Sequence, residues 1–316
     1  MLKQRWLFLL FVFASLGLQA NPLQLDEQYT VFDGQPVNLK QVFGHKPVYI
    51  KFWATWCLEC RKELPSLQQA YEKYRNQIAI YAVNLNINET DEYIRRLQQQ
   101  HKLTIPIVMD NNGSIASNFQ FHGTPFHVLI NAQGDIVYTT YKDDIELQQQ
   151  LQKLANNAIT KNINKPNVII EKIKPLPKGF SLVYFSATWC DWYMKDIHPE
   201  ITTNCLAATK LVNDIYQQQP AISLQGYVTH LWTEQKDLEE YLQKFSIPYA
   251  VSIDTGNHVT QHYNNSDYPA LLLFNDGKEI KRFTRFDDTT GIKESISTML
   301  LTNKKLQPRK NKPASF

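Results

Sequence analysis

The sequence predicts an α/β protein of two tandem domains, each with a mixed central sheet flanked by helices. Within residues 29–158, apolar runs of strand length alternate with amphipathic runs of helix length, and the last two strands form a hairpin. After residue 178 the same segments return in the same order at nearly constant spacing, which indicates a duplicated domain. A chain of 316 residues is long enough for two domains that each bury a core.

The elements of the first domain follow from local patterns. Asp33-Gly34 lies between two short apolar runs and predicts a hairpin. Period-2 and fully apolar runs predict strands, and segments with a 3.6-residue period predict helices. In chain order we expect strand 48–53, helix 57–74, strand 78–83, helix 90–101, strand 105–109, a short helix after Gly113, strands 126–130 and 136–141, and helix 144–158.

The ends of the chain and the segment between the domains differ in composition from the domains. Lys3 and Arg5 precede an apolar run that is shorter than the roughly 18 residues of a membrane span, so residues 1–20 are predicted to be a signal peptide, cleaved after Ala20. An uncleaved anchor is the alternative, and in both cases we expect the folded part to be exported to the periplasm. The predicted ranges are 21–157 for the first domain, 158–178 for an Asn-, Lys- and Pro-rich linker, 179–303 for the second domain and 304–316 for a basic, disordered tail.

Composition excludes several classes of protein. A net charge of +3 and a normal apolar content argue against nucleic-acid binding and against wholesale disorder. Four cysteines are too few for a disulfide-scaffold protein, so each cysteine needs its own explanation.

The stretch from Val48 to Pro65 carries the chemistry. A buried strand runs into a helix, and Cys57 stands at the junction with Cys60 one helical turn further on. Unpaired N–H groups at a helix start lower the pKa of a thiol, and a second thiol at this spacing can attack a mixed disulfide. A static disulfide or half a zinc site are the alternatives. Zinc needs two more ligands, and none stands at suitable spacing, so no metal is predicted.

These residues resemble the thioredoxin superfamily. The first domain is similar to the exported TlpA/ResA-like thiol–disulfide oxidoreductases, through residues 52–65 and Gly123-Thr124-Pro125 before a strand. The resemblance implies that Cys57 is the nucleophile, that Cys60 is the resolving thiol and that Pro125 is a cis-proline facing the pair. It places Trp56, Glu59 and Thr124 at the wall of the site, and it implies no cofactor.

Three residues depart from the family pattern. Lys51 stands where many thioredoxins carry a buried acid, and it either favours thiolates by its charge or extends to solvent. Glu59 stands where many relatives have proline, and its carboxylate should raise the pKa of Cys57 and favour a reducing pair. His127 follows Phe126 where the cytochrome-maturation members often have a glutamate. A plain strand role is favoured for His127 over contact with substrate or copper.

The second domain also resembles a thioredoxin fold but lacks the cysteine pair. Cys190 repeats the first cysteine, Tyr193 stands in place of the second, and Pro269 would be the cis-proline. On one unbroken helix Cys205 would lie about 22 Å from Cys190. A helix break at Pro199 would let the two cysteines meet, so a disulfide between them remains open, beside an inert remnant or a single-thiol site.

The chain is therefore predicted to be an exported thiol–disulfide oxidoreductase of the protein-disulfide reductase type. Its expected substrates are proteins with disulfides, and the resemblance implies a membrane thiol-reducing partner of the DsbD type. One alternative is the reverse direction, as an oxidase or isomerase. The other is a binding or metal-handling protein that is regulated by its redox pair.

Overall fold

The computed structural model describes residues 28–159 and 173–306, with side chains described to residue 301. The predicted signal peptide, residues 160–172 of the predicted linker and residues 307–316 of the predicted tail lie outside the described residues.

The first domain is a five-stranded sheet with helices on its faces. The strand order is β3-β2-β1-β4-β5, with β1, β2 and β3 parallel and β4 and β5 antiparallel. Every residue of β1 is buried, which is the burial expected of a central strand covered on both sides. The elements are α1 Leu39–Val42, β1 Val48–Trp53, α2 Leu58–Lys62, α3 Leu64–Tyr74, β2 Ala79–Asn84, α4 Asp91–Gln100, β3 Ile107–Met109, a 3₁₀ turn Ala116–Asn118, β4 Phe126–Ile130, β5 Ile136–Thr140 and α5 Ile145–Ala155.

The second domain repeats this topology. Its strand order, β10-β9-β6-β7-β8, is that of the first domain read from the other edge, with the same parallel and antiparallel pairs. The predicted tandem α/β architecture is confirmed. The elements are β6 Phe180–Ser186, α6 Pro199–Gln218, β7 Ser223–Thr229, α7 Gln235–Lys244, β8 Ala250–Asp254, a 3₁₀ turn Thr255–Asn257, α8 His258–His262, β9 Ala270–Asn275, β10 Lys278–Phe283 and α9 Thr289–Leu306.

Three local predictions for the first domain need correction. The predicted helix 57–74 is two helices, because Glu63 ends α2 and Pro65 stands in the first turn of α3, where its missing N–H costs nothing. The predicted hairpin around Asp33-Gly34 is reduced to isolated bridges, Tyr29 with Val37 and Val31 with Val108. The short helix after Gly113 is a 3₁₀ turn.

The two domains share one apolar core cluster. It runs from the first sheet through both cysteine motifs into the second sheet, so the domains pack on each other at their motif-bearing ends. None of the described helices is long and apolar enough to cross a lipid bilayer.

Candidate active site

Cys57 lies in the turn that joins β1 to α2. Its extended backbone makes it the N-cap of α2, and its Sγ accepts a hydrogen bond from the Cys60 backbone N–H at 3.2 Å. Cys57 and Cys60 form a disulfide with their Cα atoms 5.2 Å apart. The structure thus places the predicted pair at the predicted strand–helix junction, in its oxidised form.

The loop before β4 lies beside this turn. β1 and β4 are antiparallel and pair Phe52 with Phe126, so the residues just before Phe126 stand next to the residues that follow β1. The Thr124–Pro125 peptide bond is cis, as the family resemblance implied. Thr124 is buried, and its Oγ1 has no hydrogen-bond partner within the described part of the chain. This loop and Cys57 therefore form two sides of one groove.

Trp56 forms a third side of the groove. Its indole Nε1 donates to the Ile87 carbonyl at 2.7 Å, which ties the ring to the loop after β2. The ring is fully buried, and the three aromatic rings nearest to its outer face all belong to the second domain: Trp189, Tyr193 and Trp232.

A buried polar network lies under the cysteine helix. Lys51 is fully buried and its Nζ lies 2.6 Å from a Glu63 carboxylate oxygen. His127 Nε2 lies 3.3 Å from the same oxygen, and His127 Nδ1 is hydrogen-bonded to the Tyr49 hydroxyl at 2.8 Å. The suggestion that Lys51 extends to solvent is therefore wrong, because Glu63 gives its ammonium group a partner inside the protein.

Burial sets the charge states of this network. Burial lowers the pKa of Lys51, although Glu63 opposes the shift, and burial also lowers the pKa of His127, which favours its neutral form. For Glu63, burial raises the pKa, but the hydrogen bond with His127 and the charge of Lys51 outweigh it, so the net pKa is below the ordinary value. The network therefore pairs one anion with one cation.

Glu89 is a second ionisable group beside the motif. Its carboxylate accepts hydrogen bonds from the Thr55 backbone N–H and hydroxyl, both at 2.6 Å, and from the Asn84 amide at 3.0 Å. Burial raises the pKa of Glu89 to about 7, although these hydrogen bonds oppose the shift. The sequence carries no signal for either carboxylate: Glu89 lies outside the motifs, and Glu63 lies within residues 52–65 but its pairing with Lys51 depends on the fold.

The structure gives Glu59 a weaker electrostatic effect on Cys57 than the sequence predicted. It lies on the exposed face of α2, where its carboxylate pairs with Lys62 at 2.6 Å. It remains within one helical turn of Cys57, but an exposed ion pair in water acts weakly.

The second domain carries the matching site. Cys190 follows β6, and the following turns run to Pro199, where α6 begins. Because the helix starts only there, Cys205 folds back and forms a disulfide with Cys190, with Cα atoms 6.1 Å apart. The Tyr268–Pro269 bond is cis, and the Tyr268 carbonyl lies 3.7 Å from Cys190 Sγ.

The two sites face each other across the domain interface. The Trp56 and Trp189 rings, each next to a first cysteine, lie 5.2 Å apart. Cys57 is 1% exposed and Cys60 is fully buried. The described residues include no group of three or more His, Cys, Asp or Glu side chains that could hold a metal ion.

Comparisons with known proteins agree with this geometry. A family model described as the AhpC/TSA family matches residues 16–139. The thiol-disulfide oxidoreductase ResA of Halalkalibacterium halodurans is 30% identical over 124 residues, 39% of this chain and 67% of that protein. ResA of Bacillus thuringiensis subsp. konkukian is 28% identical over 127 residues, 40% of this chain and 72% of that protein.

Two further likenesses are of the same kind. The thioredoxin-like protein YneN of Bacillus subtilis is 28% identical over 139 residues, 43% of this chain and 81% of that protein. Among solved structures, StoA of Bacillus subtilis is similar at 25% identity over 40% of this chain and 94% of that chain, with a TM-score of 0.36. The chain belongs to the thioredoxin-like family of thiol–disulfide oxidoreductases.

Proposed function

We propose that the protein is an exported reductase of protein disulfides, with Cys57 as the nucleophile and Cys60 as the resolving thiol. The observation that carries this proposal is the Cys57–Cys60 disulfide at the start of α2, beside the loop that ends at Pro125.

The cycle begins with the reduced pair. The Cys57 thiolate attacks one sulfur of a substrate disulfide, a mixed disulfide forms, and the other substrate sulfur leaves as a thiolate that takes up a proton. The Cys60 thiolate then attacks Cys57 Sγ and releases the second substrate thiol. The substrate has gained two electrons and the pair is again a disulfide. A dithiol donor must reduce it, and a membrane partner of the DsbD type is the donor that we propose.

Two features support the reducing direction. The carboxylate of Glu59 stands in the first turn of α2 and disfavours a thiolate at Cys57, even though its pairing with Lys62 weakens the effect. Lys51, the cation below the helix, is paired with Glu63 and so offers a thiolate little net positive charge. A pair whose reduced form is poorly stabilised is a reductant.

The reduction potential of the Cys57–Cys60 pair tests the direction. We expect a value near that of thioredoxin, about −270 mV, measured by equilibration with glutathione or dithiothreitol and quantified by thiol trapping. A reduction potential of about −120 mV would make the protein an oxidant and would overturn the reductase proposal.

Substrate capture tests the protein-substrate part. A Cys60→Ser variant cannot resolve the mixed disulfide, so proteins from an extract of exported proteins should remain bound through Cys57. A Cys57→Ser/Cys60→Ser variant is the control. Equal capture by both variants would contradict the proposal.

A further inference from the structure

Side chains of the second domain lie beside both sequence neighbours of Cys57. The turn that carries Cys57 closes one end of the first sheet, and in an isolated first domain this end would face solvent. Tyr193 and Trp232 lie against the Trp56 ring, with ring centroids 6.2 and 5.5 Å away. Tyr193 also lies close enough to Leu58, the residue next to Cys57, for the Leu58 backbone to lower the pKa of its hydroxyl against the larger effect of burial. The second domain therefore lies on both flanks of the nucleophile.

Trp232 occupies the groove between Trp56 and the loop before β4. Its backbone N–H donates to the His122 carbonyl at 2.5 Å, and its indole lies on Gly123. A Cβ atom on residue 123 would lie 2.7 Å from the indole Cδ1, so the ring can lie there only because residue 123 is glycine. The occupant combines one backbone donor with one flat aromatic ring.

The equivalent residue of the first domain makes the reciprocal contact. The Trp189 Nε1 donates to the Leu231 carbonyl just as the Trp56 Nε1 donates to the Ile87 carbonyl, so Asn88 in one repeat corresponds to Trp232 in the other. The Asn88 side-chain amide pairs with both the N–H and the carbonyl of Tyr268, at 2.8 and 2.6 Å, just before the second cis-proline.

Both residues also have left-handed backbones, with φ of +51° at Asn88 and +47° at Trp232. This region is sparsely populated by residues other than glycine, above all by bulky ones, and such conformations persist where the surroundings enforce them. Each loop is thus shaped to dock on the other domain. At the interface, the loop of each domain packs against the other domain, and the two loops occupy matching positions of the internal repeat.

We propose that Trp232 is a built-in occupant of the first domain's substrate groove, so that the second domain holds Cys57 and Cys60 closed until a polypeptide presents an aromatic side chain in its place. This inference rests on the proposed function of Cys57 and names the regulation and the substrate class of that site. A polypeptide segment with an aromatic residue can make both interactions of Trp232, namely the N–H to the His122 carbonyl and the ring on Gly123. It can also supply a partner for the Thr124 hydroxyl, which has none among the described residues of the closed form.

Thiol accessibility tests the closure without any need for catalysis. The reduced full-length protein is alkylated with iodoacetamide, and the rate at Cys57 is followed by mass spectrometry. We expect Trp232→Ala to raise this rate at least tenfold. Trp192→Ala, which removes an exposed indole with a single edge contact to Tyr193, should leave it within twofold. Equal rates for wild type and Trp232→Ala would overturn the closure.

A second variant tests the closure independently, in case Trp232→Ala impairs folding. Gly123→Ala keeps the indole but adds the Cβ atom that would collide with it. The φ of Gly123 does not lie in the left-handed region, so alanine should be tolerated by the backbone. We expect Gly123→Ala to expose Cys57 as Trp232→Ala does, with an unchanged circular dichroism spectrum. A native spectrum with wild-type alkylation would also overturn the closure.

Matched peptides test the substrate class. Two peptide disulfides that differ only in Trp or Ala next to the cysteine are offered to the reduced wild-type protein. We expect the Trp peptide to be reduced at least fivefold faster, and equal rates would overturn the aromatic preference. If alkylation responds to Trp232→Ala but neither peptide nor insulin is reduced, the reductase proposal fails and the closure stands. If insulin is reduced and alkylation does not respond, the closure alone fails.

Discussion

The two domains carry the same strand pairing before their first cysteine but different side chains beneath it. In the first domain Lys51 pairs across the sheet with His127, and both belong to an ionisable network with Glu63. In the second domain the same register positions are Tyr184 and Leu271. Tyr184 joins a network of hydroxyls only, which comprises Thr209, Tyr241 and Ser186.

The same difference recurs beside the motif. Thr55 of the first domain hydrogen-bonds to the Glu89 carboxylate, whereas Thr188 of the second hydrogen-bonds to the Thr233 hydroxyl at 2.8 Å. Buried ionisable groups are costly unless they are paired. They are present beside the pair that retains the Cys-x-x-Cys spacing, and the matching positions of the second domain hold the neutral residues Tyr184, Leu271 and Thr233. We infer that the ionisable groups serve thiol chemistry and that hydroxyls suffice for packing.

The largest expected effect is on catalytic activity, where mutation of the two cysteine pairs should have very different consequences. Cys57→Ser should lower dithiothreitol-dependent insulin reduction by ~10³-fold or more, because it removes the attacking thiolate. Cys190→Ser/Cys205→Ser should keep the activity within about threefold, because Tyr193 leaves the second site without a resolving thiol at the Cys-x-x-Cys position. A double variant as inactive as Cys57→Ser would show that both pairs take part in turnover.

Sequence motifs located the first site because its geometry is local. Cys57 and Cys60 are one helical turn apart, and the family resemblance carried by the Gly-Thr-Pro loop before a strand named Pro125 in advance. The same holds for the domain duplication, since repeated strand and helix lengths survive the change of side chains.

The features of the site that the sequence did not predict depend on contacts between distant segments. Glu63 reaches Lys51 only when the end of α2 packs on β1, and Glu89 reaches Thr55 only when the loop after β2 packs on the turn after β1. The Cys190–Cys205 pairing depended on where α6 begins, which Pro199 suggested but did not decide. The docking of Trp232 on Gly123 joins two domains, and no local pattern encodes it.

The next expected effect is on stability and distinguishes the two disulfides. The Cys190–Cys205 bridge closes a segment of 15 residues, and removing such a bridge costs about 3 kcal/mol in the chain-entropy model. Reducing the Cys57–Cys60 bridge, whose residues are only three apart, should cost less. Urea unfolding of Cys190→Ser/Cys205→Ser and of Cys57→Ser/Cys60→Ser measures both losses. A greater loss for the first-domain variant would contradict this expectation from loop length.

A further comparison concerns the residues under the two motifs. Lys51→Met leaves the Glu63 carboxylate with His127 and the Asp143 backbone N–H as partners. We expect a loss of about 2 kcal/mol in the free energy of unfolding, below the range for a fully buried pair because Glu63 is partly exposed. Tyr184→Phe removes one neutral hydroxyl and should cost about 1 kcal/mol. Lys51→Met should also shift the potential of the Cys57–Cys60 pair, while Tyr184→Phe should not. A potential that is unchanged in Lys51→Met would mean that the ionisable network serves stability alone.

The smallest expected effect is a pH dependence from Glu89, whose matching position in the second domain is Thr233. The pKa of Glu89 is raised to about 7 in the folded protein, above its value of about 4.3 in an unfolded chain, so the folded state binds the extra proton between these values. Its contribution to stability is fully present below about pH 4.3 and is lost as the pH rises through 7. Between pH 5.5 and 7.5 the wild type should therefore lose about 1–2 kcal/mol that Glu89→Gln does not lose.

The comparison between variants isolates Glu89 from the histidines. Burial lowers the pKa of His127 and His230, so their contribution to stability rises with pH and opposes that of Glu89. Both histidines remain in Glu89→Gln, and the difference between wild type and variant therefore belongs to the carboxyl group. Thr233→Val, the matching change in the second domain, should shift stability equally at both pH values, because hydroxyls do not titrate there. Parallel curves of unfolding free energy against pH for wild type and Glu89→Gln would mean that Glu89 titrates at its ordinary pKa. The surroundings of the two motifs would then differ in packing but not in proton binding.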